Sequence, residues 1–365
     1  MPSISDTIAK FKRFSTDLQP ASGAVAPYGL VPMNEFGRNP GNLHALMHVP
    51  AGLTVGAPLV VVLHGCTQSA GAYDRGSGWS ALADRFGFAV LYPEQQRANN
   101  PNLCFNWFVP ADTRRGSGEA ESIREMVAAA IERHRLDASR VFVTGLSAGG
   151  AMTSVMLATH PEVFAAGAII AGLPYGTAAS VPEALERMRG QGHDRGQLSE
   201  HVRAASPYRG PWPAVSVWHG TADMTVNAAN AGLIVEQWRG IDGVGSPPTT
   251  NRVDRQLHRT WHDKTGRAVI EEYVIEGLGH GTPIATSGDE ACGVPGPHML
   301  DAGISSSYRI AASWGIVPRV APIRAPSIAD APVTARARPM NMASPSFNPG
   351  HAIGEALRAA GLMKR

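Results

Sequence analysis

Apolar runs recur along the chain, and each breaks off at glycine, proline or histidine. Residues 58–63, Pro-Leu-Val-Val-Val-Leu, run into His64-Gly65. Residues 88–92 stop at Pro93, 141–143 lead to Gly145, 163–171 stop at Gly172, and 214–218 run into His219-Gly220. Continuous apolar runs of this length predict strands buried on both faces, as in parallel sheets. Between them lie stretches with helical spacing. Residues 78–86 set Leu82 and Phe86 four apart, and 118–135 align Ile123, Met126, Val127, Ala130 and Ile131 in one stripe. Residues 151–159 and 228–238 are also helix-compatible. Strands alternating with helices predict βαβ units, hence an α/β fold with a mostly parallel central sheet and helices on both faces.

Other stretches depart from that alternation. Residues 28–33 and 42–48 flank Asn39-Pro40-Gly41, which predicts an edge hairpin. Residues 256–262 and 269–275 flank Lys264-Thr265-Gly266 and read as a second hairpin, its second strand also placed to end the sheet. Residues 304–314 predict a closing helix. Residues 173–210 are polar and Gly-rich, and read as a small helical insertion over the C-terminal edge of the sheet and a candidate lid. Residues 1–22 read as a lead-in to a domain covering 23–316. The seven prolines of 317–349 cannot form a core and predict a linker. Residues 350–365 predict a short helix with Ile353, Leu357 and Ala360 on one side.

Composition narrows the function classes. With 365 residues, 44% hydrophobic and 17% charged, the chain has material for a large core. Its 32 basic and 30 acidic residues are interspersed, so no nucleic-acid surface is expected. No apolar run is long enough for a membrane span. The first twenty residues lack an apolar signal region, which places the sequence as it stands in the cytoplasm, with secretion left open. Cys66, Cys104 and Cys292 fit no zinc spacing, so no metal or other cofactor is expected. Free thiols, or one disulfide with one cysteine left over, are both compatible with their positions. Oligomeric state is not set by anything in the sequence.

The candidate chemistry sits where the apolar runs end. Gly145-Leu146-Ser147-Ala148-Gly149 is G-x-S-x-G between a strand and a helix, the nucleophile elbow of α/β-hydrolases. A serine hydroxyl needs a base, and the base needs an orienting acid, in the chain order Ser, acid, His. After Ser147, Asp223 follows one buried run and His280 another, the edge at which open α/β sheets place their sites. Among the 13 histidines, His160 reads as a helix cap and His219 as a hydrogen-bonding loop residue. His193, His201, His258, His262 and His298 lie in the insertion, the hairpin or beyond the last strand. Asp242 and Asp254 lie in loop sequence. The oxyanion that forms during acyl transfer needs backbone donors. These are expected from the N–H groups of Ala148 and of Cys66, in the loop His64-Gly65-Cys66-Thr67-Gln68, with His64 as a brace. Trp107 and Tyr175 are candidates to line the substrate pocket, whereas Trp218 reads as core.

Together these segments resemble the polyhydroxybutyrate depolymerase family of esterases in the α/β-hydrolase superfamily. The resemblance is carried by Leu63-His64-Gly65-Cys66-Thr67-Gln68, Cys104-Phe105-Asn106-Trp107-Phe108, Gly145-Leu146-Ser147-Ala148-Gly149-Gly150, His219-Gly220-Thr221-Ala222-Asp223-Met224-Thr225-Val226 and Gly279-His280-Gly281-Thr282-Pro283. The segment from Gly303 to Gly315 is similar to the family's closing helix. The resemblance spans about residues 25–316. It implies Ser147 as nucleophile, Asp223 as acid, His280 as base, and hydrolysis of polymeric or oligomeric esters of short hydroxyalkanoic acids. It also implies a disulfide between Cys66 and Cys104. No appended polymer-binding module is visible. Two other readings stand beside it: a feruloyl or acetyl carbohydrate esterase on the same fold, and a non-catalytic binding protein.

Overall fold

Strand β3 (Leu59–Leu63) shows how the molecule is layered, because all five of its residues are buried. Side chains alternate across a strand. Leu59, Val61 and Leu63 enter one apolar core, and Val60 and Val62 enter a second on the other face. Neighbouring strands divide in the same way. In β4 (Ala89–Glu94), Ala89 and Leu91 go to the first core and Val90 and Tyr92 to the second; in β5 (Val141–Leu146), Val143 and Phe142 part likewise. The sheet is therefore a wall between two cores, which is why its strands read as unbroken apolar runs.

This computed structural model describes residues 29–253 and 256–319. The lead-in 1–22, residues 320–349 of the proline-rich stretch, the terminal helix 350–365 and Asp254 lie outside the described residues. The remaining strands of the main sheet are β1 (Val31–Pro32), β2 (His44–His48), β6 (Ala166–Ile170), β7 (Ala214–Gly220), β8 (Thr249–Val253), β9 (Gln256–His262) and β10 (Ala268–Ile275). Among the described residues they form one sheet in the order β1-β2-β4-β3-β5-β6-β7-β10-β9-β8. The six central strands, β4 to β10 in that order, are mutually parallel. Antiparallel pairs close each side: β1–β2–β4 on one, β10–β9–β8 on the other. This is the mostly parallel α/β sheet that the alternation of runs predicts, in the α/β-hydrolase arrangement that the resemblance implies.

The helices are α1 (Ala70–Ser77), α2 (Trp79–Phe86), α3 (Gly118–His134), α4 (Ala148–Thr159), α5 (Val181–Met188), α6 (Leu198–Ala205), α7 (Ala229–Asp242) and α8 (Ser306–Ser313). Residues of α3, α4, α6 and α7 fill the first core, and residues of α1, α2 and α8 fill the second. Every residue of α4 is buried, as expected for a helix that is apolar all round. In the α3 stripe Ile123, Met126, Val127 and Ala130 are buried, while Ile131 is only half-buried. Segment 173–210 connects β6 to β7. Its α6 buries Leu198 and Val202, and the buried Gln237 of α7 donates to the carbonyls of Tyr175 and Leu198 at 3.0 and 2.8 Å.

The structure departs from the sequence pattern at a few elements. Pro93 does not stop its strand: β4 continues to Glu94, with Pro93 opposite Ala45 of β2. On its other side β4 pairs with β3 only over Ala89–Leu91, so past that point the strand has one ladder to serve rather than two. Helix α1 forms despite Gly71 and Gly76. Its N-terminus is capped by Ser69 and by the Glu94 carboxylate, which accepts from the Ala70 N–H at 2.6 Å. Strand β8 and a small parallel pair, β11 (Thr282–Ile284) with β12 (Met299–Asp301), carry no periodic signal of their own. Among the described residues no helix is long and apolar enough to cross a membrane.

Trp79 anchors the second core. It is 1% exposed, stacked on Trp314 at 5.8 Å between ring centroids and set edge-on to Phe88 at 6.3 Å. Replacing it by alanine is expected to remove about 3–5 kcal/mol of stability. Urea unfolding measures this, and a loss under about 1 kcal/mol would contradict the packing described.

Candidate active site

The conformation of Ser147, the candidate nucleophile, is set by close backbone packing. Strand β5 ends at Leu146 and α4 begins at Ala148, leaving Ser147 as the single hinge, with φ 57° and ψ −117°. A non-glycine residue in such a conformation carries about 1–3 kcal/mol of strain, held only if its surroundings over-determine it. They do so here. The Ser147 N–H donates to the Ile170 carbonyl at 2.9 Å, and its own carbonyl accepts from Ala151 at 2.8 Å. A Cβ on Gly145 would lie 2.8 Å from the Leu63 carbonyl oxygen, one on Gly149 2.5 Å from that of His64, and one on Gly150 2.8 Å from that of Ile170. Glycine at these positions is what lets the turn press against β3 and β6. Ser147 itself stays half-buried at the C-terminal edge of the sheet.

Asp223 and His280 come from the loops after β7 and β10, which are parallel neighbours. His280 Nδ1 lies 2.8 Å from Asp223 Oδ2. The other carboxylate oxygen accepts from the N–H groups of Thr225 and Val226 at 2.8 and 2.9 Å. Burial alone would raise this carboxyl, but hydrogen bonds from His219 and His280 hold it well below the usual carboxylate range. It is therefore ionised and can only accept, which assigns the proton to His280 Nδ1 and leaves Nε2 with its lone pair. His219 Nε2 lies 2.9 Å from the Val226 carbonyl and 3.3 Å from Asp223 Oδ2, so it steadies the acid from behind. The side chain of Val226 packs with Ala148, which brings the acid loop against the elbow. Among the described residues no hydrogen bond joins the Ser147 hydroxyl to His280; such bonds often close only around substrate.

The candidate oxyanion loop, residues 64–68, turns on one peptide plane. Gln95 N–H donates to His64 Nε2 at 3.1 Å, so the ring proton sits on Nδ1 and is donated to the Gly65 carbonyl at 2.8 Å. Gln68 Oε1 accepts from Gly65 N–H at 2.8 Å. A peptide is planar, so fixing the Gly65 carbonyl fixes the opposite direction for the Cys66 N–H. That N–H and the N–H of Ala148, the first residue of α4, have no hydrogen-bond partner among the described residues. Ala148 also carries the partial positive charge of a helix N-terminus. Cys66 is disulfide-bonded to Cys104, 38 residues on, and Thr67 N–H donates to the Asn102 carbonyl at 2.7 Å. The candidate oxyanion loop is thus tied to the loop that carries Trp107.

Beneath this tie lies a buried carboxyl that sequence reasoning did not single out. Glu119 accepts from Gln95 Nε2 at 2.5 Å and from the Asn106 N–H at 2.8 Å, and Gln95 Nε2 also donates to the Cys104 carbonyl. An acidic residue in the first turn of a helix reads as an ordinary dipole partner, so nothing in the pattern marks it. Trp107 belongs to the same apolar cluster as Ala148, Leu173, Ala184 and Val226, against the elbow helix. Tyr175 is placed differently. It packs against the first core, its backbone is held by Gln237, and its hydroxyl faces the Thr113 carbonyl at 3.5 Å. Trp218 is fully buried and stacked on Tyr273 at 3.7 Å.

A strained serine on an elbow, a hydrogen-bonded Asp–His pair and two unspent backbone donors, on this fold, define the chain's class as a carboxylic ester hydrolase of the α/β-hydrolase type. Residues 43–256 match the model of the family described as Esterase PHB depolymerase. The chain is 44% identical over 317 residues to poly(3-hydroxyalkanoate) depolymerase C of Paucimonas lemoignei, covering 86% of this chain and 76% of that one. It is 33% identical over 269 residues to acetylxylan esterase A of Aspergillus oryzae, covering 71% and 85%. In structure it resembles an acetyl xylan esterase from Aspergillus awamori, with a TM-score of 0.63, 28% identity, and coverage of 69% and 93%. The chain belongs to the PHB depolymerase esterase family.

Burial pushes the Glu119 carboxyl up to about 8 from its ordinary 4.5. Between those values the folded state holds a proton that the unfolded state has released, so this group makes stability fall as pH rises through that window. Glu119→Gln cannot ionise and is expected to flatten the fall. Urea midpoints at several pH values across the window check this, and identical slopes for the variant and the parent would contradict it.

Proposed function

We propose that the chain hydrolyses ester bonds of poly- or oligo(3-hydroxybutyrate) and related short-chain hydroxyalkanoates through an acyl-enzyme on Ser147. The observation that carries this reading is the Asp223–His280 hydrogen bond beside the serine elbow, with the Cys66 and Ala148 amides unspent. His280 Nε2 takes the Ser147 proton as Oγ attacks the ester carbonyl. The electron pair of the C=O moves onto oxygen and is met by the Cys66 and Ala148 N–H groups; losing one such donor typically lowers rate about a hundred- to a thousand-fold. Collapse breaks the bond to the leaving alkoxide oxygen, which takes the proton from His280. Water then repeats the sequence on the acyl-serine and frees the acid. Asp223 keeps its charge throughout and steadies the imidazolium each time it forms.

The substrate class is supported by the 44% identity to a poly(3-hydroxyalkanoate) depolymerase. The likeness to acetylxylan esterases in sequence and fold keeps acetylated carbohydrate as the competing class. Turnover of hydroxybutyrate oligomers, PHB film, acetyl-xylan and feruloyl esters by one preparation separates the two. The proposal expects the oligomers to be cleaved with the highest kcat/KM, and a preference for acetyl-xylan would overturn it. Ser147→Ala is expected to lower p-nitrophenyl butyrate hydrolysis by at least about ten-thousand-fold. A variant near parental activity would remove Ser147 from the chemistry.

A further inference from the structure

The loop that carries His280 is gripped from its far side by a second histidine. His298 directly precedes β12 and holds a left-handed backbone, φ 62°. Side chains seldom adopt that region, histidine and asparagine more readily than most. Its Nδ1 lies 3.1 Å from the His280 carbonyl oxygen. A carbonyl only accepts, so Nδ1 carries the proton and donates. The main-chain oxygen of the same residue accepts from the Thr282 N–H at 2.8 Å. One residue therefore holds the chain on both sides of Gly281. A Cβ on Gly281 would lie 2.7 Å from the His298 carbonyl oxygen, so glycine is what allows this approach. The two imidazole rings stand nearly perpendicular, at 78°, with centroids 5.7 Å apart.

This grip bears on the one freedom that His280 retains. Asp223 fixes its Nδ1, whereas no hydrogen bond joins its ring to Ser147 among the described residues. How Nε2 reaches the hydroxyl then depends on where the His280 backbone stands and how its ring is faced. The other ties on this loop lie at least two residues away: the Leu278 carbonyl accepts from the Ala222 N–H at 3.0 Å, the Gly277 N–H donates to Thr221 Oγ1 at 2.9 Å, and Thr282 Oγ1 meets Tyr73 Oη at 3.1 Å. Among the described residues the hydrogen bond to the His280 carbonyl comes from His298. A shift of about 1 Å at a reacting group is enough to lower a rate about a hundred-fold.

We propose that His298 is a positioning residue for the ester-hydrolysis reaction, clamping the His280 peptide and facing its ring so that Nε2 meets Ser147. The proposal rests on the reading of Ser147 as nucleophile and His280 as base. In this reading His298 acts through His280, to whose carbonyl it donates. Its effect belongs to the rate of acyl transfer, with little on ground-state binding.

His298→Gly keeps the left-handed backbone and deletes the donor. With p-nitrophenyl butyrate, and with active sites counted by fluorophosphonate titration, kcat per titrated site is expected to fall about ten- to a hundred-fold while KM stays within about twofold. His298→Asn, whose amide donates from the same backbone conformation, is expected to recover most of that rate. His298→Asp has the same shape but presents a carboxylate that cannot donate, and is expected to stay slow. The Asn and Asp pair decides the matter should the glycine variant not fold. A merely structural role would lower the titrated fraction or the melting temperature and leave per-site kcat unchanged. Parental per-site kcat in His298→Gly, or equal rates in the Asn and Asp variants, would overturn the proposal. Ser147→Ala run alongside tells the two failures apart. If it stays active, the underlying reading falls; if it is dead while the His298 variants match the parent, only the clamp falls.

Discussion

The close approach of backbone to backbone at the serine elbow is the constraint on which the rest of this structure depends. Ser147 can hold its strained conformation only because Gly145, Gly149 and Gly150 let the turn sit against the carbonyls of Leu63, His64 and Ile170. Those carbonyls belong to the ends of the two strands flanking β5, or to the residue just past one of them, so the elbow needs all three strands in register and buried. The two cores meet that need. They bury every residue of β3, β5 and β6 and all of α4, leaving little room for relaxation. Strain at the serine is thus carried by packing spread over the whole sheet.

Electrostatics follow from the same geometry. A sheet buried on both faces leaves its C-terminal edge as the place where polar groups meet solvent and each other. Asp223 is buried there yet ionised, because two backbone amides and two histidines converge on it. Glu119 lies under the neighbouring loop, where burial outweighs its two hydrogen bonds, and it takes up its proton far more readily. The two carboxyls are moved in opposite directions by the number and kind of donors each has, with burial opposing charge in both. The first orients a ring; the second braces the loops joined by the Cys66–Cys104 bond.

Much of the fold was legible because burial on two faces writes itself as unbroken apolar runs. The chain-order logic likewise singled out Asp223 and His280, which lie hydrogen-bonded to each other. What stayed hidden depends on contacts distant in sequence. Helix α1 draws part of its N-terminal cap from Glu94, and β11 and β12 pair only with each other among the described strands. Glu119 and His298 matter through groups reached by the return of the chain, and neither sits in a pattern that marks it. Local signals also do not say which core a side chain will join. Trp107 faces the elbow helix, while Tyr175 turns to the first core and is held by Gln237. The cysteine spacing left the pairing open, since only the fold brings residues 38 apart within reach.

Ser147, half-buried and strained at the elbow, is the residue whose hydroxyl we propose is acylated. Reaction of the full chain with a fluorophosphonate, followed by digestion and tandem mass spectrometry, tests this most directly. A single adduct on Ser147, formed in step with the loss of ester hydrolysis, is expected. An adduct on another residue, or complete inactivation with Ser147 unmodified, would contradict it.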